Sequence, residues 1–271
     1  NTLITTNSDV TNRSALLNIN QTGSGFVLAG SNQVLSTTED IIIPNLGITG
    51  GGLKTINGII GVSENLILDN GRVNTGNQLS LNRFFLGPNA NIDVNGSNSY
   101  FVGPLIHLGV GDKFFPIGTG DQYAPVTLRD VSGTSDVATA LIASSQTGEF
   151  LPSSLPAPVD SASQNWVWGF LSRGFNNAVV ELPILSGDEG LTSGENRTGV
   201  ILEVDTTSRL ANNLGGVLAG NNLRSTRGLT LDVSYLMLGS SLIITPLIRN
   251  LITLNADGQN DYLVIEDIGI Y

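Results

Sequence analysis

From Leu53 onward short apolar dyads recur, each flanking a single residue: Leu53 with Thr55, Leu66 with Leu68, Leu79 with Leu81, Ile92 with Val94. Positions two apart share one face of a strand, whereas a helix face needs spacings of three and four. Each pair begins thirteen residues after the one before, and the turn-forming Asn57-Gly58, Asn70-Gly71 and Asn95-Gly96 keep close to that beat. Short strands with Asn/Gly corners at a fixed spacing predict a β-solenoid, in which each coil hides its apolar face against the next. A β-meander is the alternative. Residues 1–50 follow the beat less regularly.

Near Tyr100 the texture changes. Tyr100-Phe101-Val102-Gly103-Pro104-Leu105 is followed by Phe114-Phe115-Pro116-Ile117-Gly118 and Tyr123-Ala124-Pro125-Val126. Strand-like runs then cover residues 138–143, 166–171, 178–182, 199–204, 229–235 and 241–245, the pattern of a β-sandwich. The prolines of 151–158 exclude a helix or a central strand there, because they lack a donor and fix φ. Only 207–214 has helical flavour, and Gly215-Gly216 ends it. The expected architecture is therefore all-β: an Asn/Gly-rich β-solenoid-like part over residues 1–105, a β-sandwich over 106–250, and a terminal segment from 251 to 271.

Composition narrows the function classes. With no cysteine, disulfides and thiolate chemistry are excluded, and a net charge of −11 repels phosphate backbones, so nucleic acid is not an expected partner. No apolar run approaches the ~20 residues of a membrane-spanning helix. The chain opens on Asn1 with neither an initiator Met nor a signal peptide, the pattern of an internal stretch of a longer precursor.

Catalytic constellations are sparse. His107 is the single histidine, so an imidazole triad or multi-histidine metal site would rest on it alone. Asp205-Thr206 has the strand-end form of an aspartic protease without a second copy, and a strand-to-turn Asp is the plainer reading. Asp188-Glu189 and Glu266-Asp267 are adjacent carboxylates that point to opposite faces of a strand, and solvent-facing turns are expected for both. Trp166 and Trp168 share one strand face, which suits either core packing or a platform for glycan. Asn255, Asp257, Gln259 and Asp261 alternate as oxygen ligands suited to Ca²⁺, the alternative being an Asx turn. No other cofactor is expected.

The most specific segment is Leu251-Ile252-Thr253-Leu254-Asn255-Ala256-Asp257-Gly258-Gln259-Asn260-Asp261 with the apolar run after it. It resembles the start of the gliding-motility-associated, type B C-terminal sorting domain of Bacteroidetes proteins exported by the type nine secretion system. Thr253, Asn255, Asp257, Gly258, Asn260 and Asp261 carry the resemblance, and Leu254 and Ala256 depart from it. Only the first strand of such a domain fits before Tyr271. Ser99-Tyr100-Phe101-Val102-Gly103-Pro104, together with the Phe115-Pro116 and Tyr123 to Leu128 stretches, is similar to a segment found after β-helical stalks in large surface proteins of the same bacteria.

These resemblances imply an extracellular location at the Gram-negative cell surface, outer-membrane secretion components as partners of the C-terminal segment, and surface glycans or further copies of the chain as others. The implied function is a non-catalytic structural or adhesive one, gliding adhesins being the first comparison. Asp160-Ser161-Ala162 and Asp205-Thr206-Thr207 are similar to the short sites those bacteria O-glycosylate, at Ser161 and Thr206 here. The competing function is a carbohydrate-binding or polysaccharide-acting β-helix, which would require Asp, Glu and Arg clustered in one groove. Charges between Lys54 and Asp93 fall instead at different phases of the repeat.

Overall fold

A computed structural model describes residues 3–12, 23–81, 83–120, 122–145, 148–192, 196–243, 248–249 and 264–265. It is all-β, 61% strand and 2% helix, and its N-terminal part stacks about four solenoid turns.

Successive strands of the solenoid alternate between two sheets. One takes β1 (Leu3–Thr6), β3 (Gly25–Leu28), β5 (Ile41–Ile48), β7 (Ile60–Leu68) and β9 (Phe84–Leu86); the other takes β2 (Val10–Asn12), β4 (Gln33–Thr37), β6 (Leu53–Asn57) and β8 (Arg72–Asn74). All neighbours are parallel, as winding in one direction requires. Gly25, Asn45 and Asn65 are in register, so one turn takes about twenty residues here. Like residues therefore stack: Leu28, Ile48 and Leu68 form one fully buried ladder, and Phe26, Leu46 and Leu66 form the next. Complete burial of each such Leu or Ile stabilises the fold by about 1.5–3 kcal/mol.

The thirteen-residue beat is not the turn of the solenoid. Leu53 lies in β6 and Leu66 in β7, on opposite sheets. Asn57-Gly58 closes the corner from β6 to β7 and Asn70-Gly71 the next, from β7 to β8, so the beat counts corners of unlike kind. Leu79 and Leu81 belong to no strand and pack outside the solenoid against Ile106, Ala138 and Ala140. The last pair, in β10 (Asn91–Val94), does return to β7, with Ile92 beside Leu66.

In the first sheet parallel winding ends at β12 (Leu105–Leu108). It is parallel to β9 on one side and antiparallel to β16 (Val126–Ser145) on the other, so one sheet runs from the solenoid into the C-terminal part. Between them β11 (Phe101–Val102), β14 (Ile117–Thr119) and β15 (Gln122–Tyr123) extend the second solenoid sheet, and β13 (Gly111–Phe115) pairs back onto β16.

The C-terminal part is built on a long hairpin of β16 and β18 (Trp166–Pro183), the latter joining two of the expected strands into one. Its register breaks between Arg129 and Ala138. Asp130 sits there at φ 54°, and a Cβ on Gly133 would come within 2.1 Å of the Gly174 carbonyl oxygen. Only glycine permits that approach. Beyond the break the hairpin pairs with β13 and β22 (Asn222–Arg224), which is joined to β21 (Val217–Ala219); before it, with β12 and β23 (Val233–Leu242). Leu128, Val180 and Leu182 from the far half share one core with Leu141, Trp168, Phe170 and Leu236 from the near half. The sandwich is thus a single sheet folded over its own bend.

Beyond β23 the sheet continues through β19 (Arg197–Asp205) and β20 (Ala211–Asn213). The helical flavour of 207–214 resolves into a turn and β20. The one helix among the described residues is α1 (Glu189–Thr192). β17 (Val159–Ala162) follows the proline-rich stretch onto β23, and β24 (Ile248–Arg249) pairs with β25 (Val264–Ile265).

Candidate functional site

The outer face of the folded sheet is covered from two directions. Segment 148–162 lays Phe150, Leu155 and Val159 over Val200, Leu202, Val204 and Met237. The excursion between β8 and β9 lays Leu79 and Leu81 over Ala138, Ala140 and Ile106. Between the covers an open groove of about 460 Å³ remains across β16, β18 and β23. Alternation puts Ile142 and Ser144, then Val167, Gly169 and Leu171, then Val233 and Tyr235 on its floor, with Leu79 and Asn77 at one wall and Phe150 and Thr206 at the other.

Gly169 gives the groove its depth, because a Cβ there would meet Ile142 Cγ2 at 3.0 Å and Leu79 Cδ2 at 3.3 Å. Phe150 meets Tyr235 edge to face, 4.8 Å between centroids, and the Arg209 guanidinium lies 5.7 Å above the Tyr235 ring. Among the described residues, none that lines the groove is charged. Its volume falls in the range of small-molecule sites, and its hydroxyls and one amide beside an apolar floor suit a neutral ligand.

Thr206 is the one sequence-expected site residue in this groove. Asp205 beside it is a strand-to-turn residue: its Oδ1 accepts from Thr207 N at 2.9 Å and Ser208 N at 2.6 Å, bonds that hold its carboxyl below the usual carboxylate range. Ser161 lies apart on β17, half-buried, its hydroxyl 3.3 Å from Asp160 Oδ1. Trp168 offers no ring face to solvent. It is 0% exposed and its Nε1 donates to Ala124 O at 3.1 Å, so the glycan-platform reading fails and the core reading stands for it. Trp166, on the same face, is half-buried against that core. Thr253, Asn255, Asp257, Gly258, Gln259, Asn260 and Asp261 lie outside the described residues, with both the sorting-motif and Ca²⁺ readings placed on them, and so do Glu266 and Asp267.

Two other titratable groups singled out in the sequence, His107 and Asp188, are held inside the fold. His107 stands in register with Leu86 inside the sheet, its ring edge-on to Phe115 and its Nε2 2.8 Å from Phe114 O. Burial pushes it down to about 3, with the Phe114 bond opposing and the charge of Lys113 adding slightly, so it is neutral at ordinary pH. Asp188 is not the solvent-facing turn residue expected: it is buried, accepts from Ser163 Oγ at 2.9 Å and Asn165 Nδ2 at 3.0 Å, and burial raises its carboxyl. Its neighbour Glu189 is exposed.

Four buried charged groups among the described residues were not among the expected site residues; one of them, Lys113, donates its ammonium to Pro88 O at 3.0 Å. Lys54 is fully buried in the solenoid between Gln33 and Val73, its ammonium donating to Gly51 O. Glu203 is fully buried and accepts from Thr230 N, Thr230 Oγ1 and Leu231 N, each at 3.0 Å in its best bond. Glu181 is buried between Arg129 and Arg224, and Arg129 also pairs with Asp112. Polar residues at inward strand positions were the available signal, visible only once the register is known. Among the described residues no group of three or more His, Asp or Glu is placed to hold a metal ion, and no helix is long and apolar enough to cross a membrane.

No family model, curated protein or solved structure matches the chain.

Proposed function

We propose that the chain is a non-catalytic structural or adhesive segment of a bacterial cell-surface protein, exported by the type nine secretion system and related in role to gliding adhesins. The observation behind this reading is the stacked solenoid merging through β12 into a folded sheet: a continuous scaffold in which, among the described residues, the buried Lys54, Glu203 and Glu181 tie strands and corners. His107, the single imidazole, is held neutral in the core. The export route rests on the likeness of Thr253 to Asp261 to a type B sorting domain. Protease shaving of intact producing cells tests it: peptides of this chain should be released from wild-type cells and not from cells lacking the secretion system. Equal release from both would contradict the route, and no release from either would contradict the location.

A second reading, the carbohydrate-binding one, is favoured by the groove rather than by Trp166 and Trp168. Its neutral lining, with Asn77, Ser144 and Thr206 beside Tyr235 and Phe150, matches a neutral saccharide that presents hydroxyls on one side and C–H groups on the other. Glycan-array binding abolished by Gly169→Val and weakened by Tyr235→Ala, with circular dichroism unchanged, would support it. Binding indifferent to both substitutions would remove it.

A further inference from the structure

The sequence holds three Asn-Gly pairs, and the fold treats them differently. At such a pair the glycine nitrogen can reach the asparagine side-chain carbonyl, because no Cβ obstructs it, provided that the backbone is free to rotate. Asn57 is held inside β6, in register with Ser36, with its Nδ2 3.4 Å from Ser36 Oγ; the Cβ direction of Gly58 points 2.3 Å from Thr37 Oγ1. Asn70 is pinned in a corner, donating its backbone N–H to Ile48 O at 3.2 Å and accepting from Gly51 N at 3.0 Å, and Gly71 after it is buried. Asn95 instead follows the end of β10 in an exposed turn, its backbone N–H donating to Leu68 O at 2.9 Å; Gly96 beside it is also exposed, accepts from Ser99 N at 3.2 Å, and has no atom within 4 Å of where a Cβ would stand.

We propose that Asn95 is a site of spontaneous deamidation, with water as the co-reactant. The Gly96 nitrogen loses its proton and attacks Asn95 Cγ; the bond from Cγ to Nδ2 breaks and that nitrogen leaves as ammonia, closing a succinimide. Water then opens the ring at either carbonyl, leaving aspartate or isoaspartate, with no change of oxidation state. The place matters for the scaffold. Asn95 Nδ2 lies 3.4 Å from Asp69 Oδ1, so the product sets a second carboxylate against the first and turns an attraction into a repulsion. β10 is bonded to β7 alone among the described strands.

The test ages the whole folded chain in mildly alkaline buffer and maps its peptides by mass spectrometry, with the urea-unfolded chain alongside. The expected result is conversion at Asn95 about tenfold faster than at Asn57 or Asn70 in the folded chain, a ratio that a modest difference in barrier supplies, and similar rates at all three when unfolded. Gly96→Val should slow Asn95 alone. Asn95→Asp should raise hydrogen exchange in β10 and leave β5 unchanged. The proposal is overturned if Asn57 or Asn70 leads in the folded chain, if Asn95 stays intact there while the unfolded chain converts, or if Gly96→Val changes nothing.

Discussion

The solenoid and the folded sheet solve one problem in different ways. In the solenoid, each residue meets its counterpart one turn away, so Leu28, Ile48 and Leu68 repeat a single contact, and corners are tied by side chains reaching to the adjoining turn. Asp9 accepts from Val34 N at 2.8 Å and Asn32 from Leu53 N at 3.0 Å, the same device used twice. The C-terminal part is paired antiparallel and shows no turn-to-turn register among the described strands. A hairpin of unequal halves closes on itself, and single anchors, Trp168, Glu203 and Glu181, hold it. Stability in the first region is spread over turns; in the second it is concentrated.

That contrast predicts unequal responses to damage. Trp168→Ala should have the largest effect, about 3–5 kcal/mol by urea denaturation, because a wholly buried indole and its bond to Ala124 O are lost at the one place where both halves of the hairpin share a core. The solenoid counterpart is milder: Ile48→Val removes one methyl from one rung of a ladder and should cost about 0.5–1.5 kcal/mol. A Trp168→Ala effect no larger than that of Ile48→Val would erase the distinction.

Glu203→Ala should cost about 1–3 kcal/mol, since it removes the buried carboxylate that accepts the part-buried bonds from Thr230 N and Leu231 N, and hydrogen bonds to a charged group are worth about that much. Hydrogen exchange should show that loosening confined to residues 229–232; exchange spread evenly over the chain would contradict a local anchor. At the small end, Arg129→Ala removes a partly exposed ion-pair partner of Asp112 and Glu181 and should cost at most about 1 kcal/mol, falling with added salt.

The pH dependence sharpens the junction between the regions. His107 has its pKa depressed to about 3 in the folded chain against 6.5 unfolded, so the unfolded state binds the extra proton between those values. Its contribution is fully present above pH 6.5 and is lost as pH falls toward 3, at roughly 1.4 kcal/mol per unit within that window. The Asp188 carboxyl, raised by burial, contributes with the opposite sign, so the histidine is isolated by comparing urea midpoints of wild type and His107→Phe between about pH 5 and 6.5. His107→Phe should flatten that segment of the curve; an unchanged slope would mean that the proton is taken up elsewhere.

Strand class was legible in the sequence because pairs such as Leu66 and Leu68 carry the period of two whatever they pack against. The turn length was not. Thirteen residues separate unlike corners, and the true repeat of about twenty shows only when Asn45 and Asn65 are placed side by side, since neither is apolar. Local pattern likewise could not tell that 166–171 and 178–182 are one strand, because the bend between them depends on Gly133 meeting Gly174 across the hairpin. The groove was invisible for a similar reason: Leu79, Phe150, Gly169 and Tyr235 are brought together by long-range pairing. Trp168 and Trp166 had the right spacing for a platform, but spacing fixes a shared face without saying which face is covered.

The stacked-turn register is the claim on which the rest depends, and the absence of native cysteine makes it directly testable by crosslinking. Asn45→Cys with Asn65→Cys places two thiols on in-register neighbours of parallel strands, within the separation a disulfide spans. Leu53→Cys with Leu66→Cys follows the thirteen-residue beat and places them on opposite sheets. Mild oxidation should close the first pair readily and leave the second reduced; closure of the second and not the first would contradict the solenoid described.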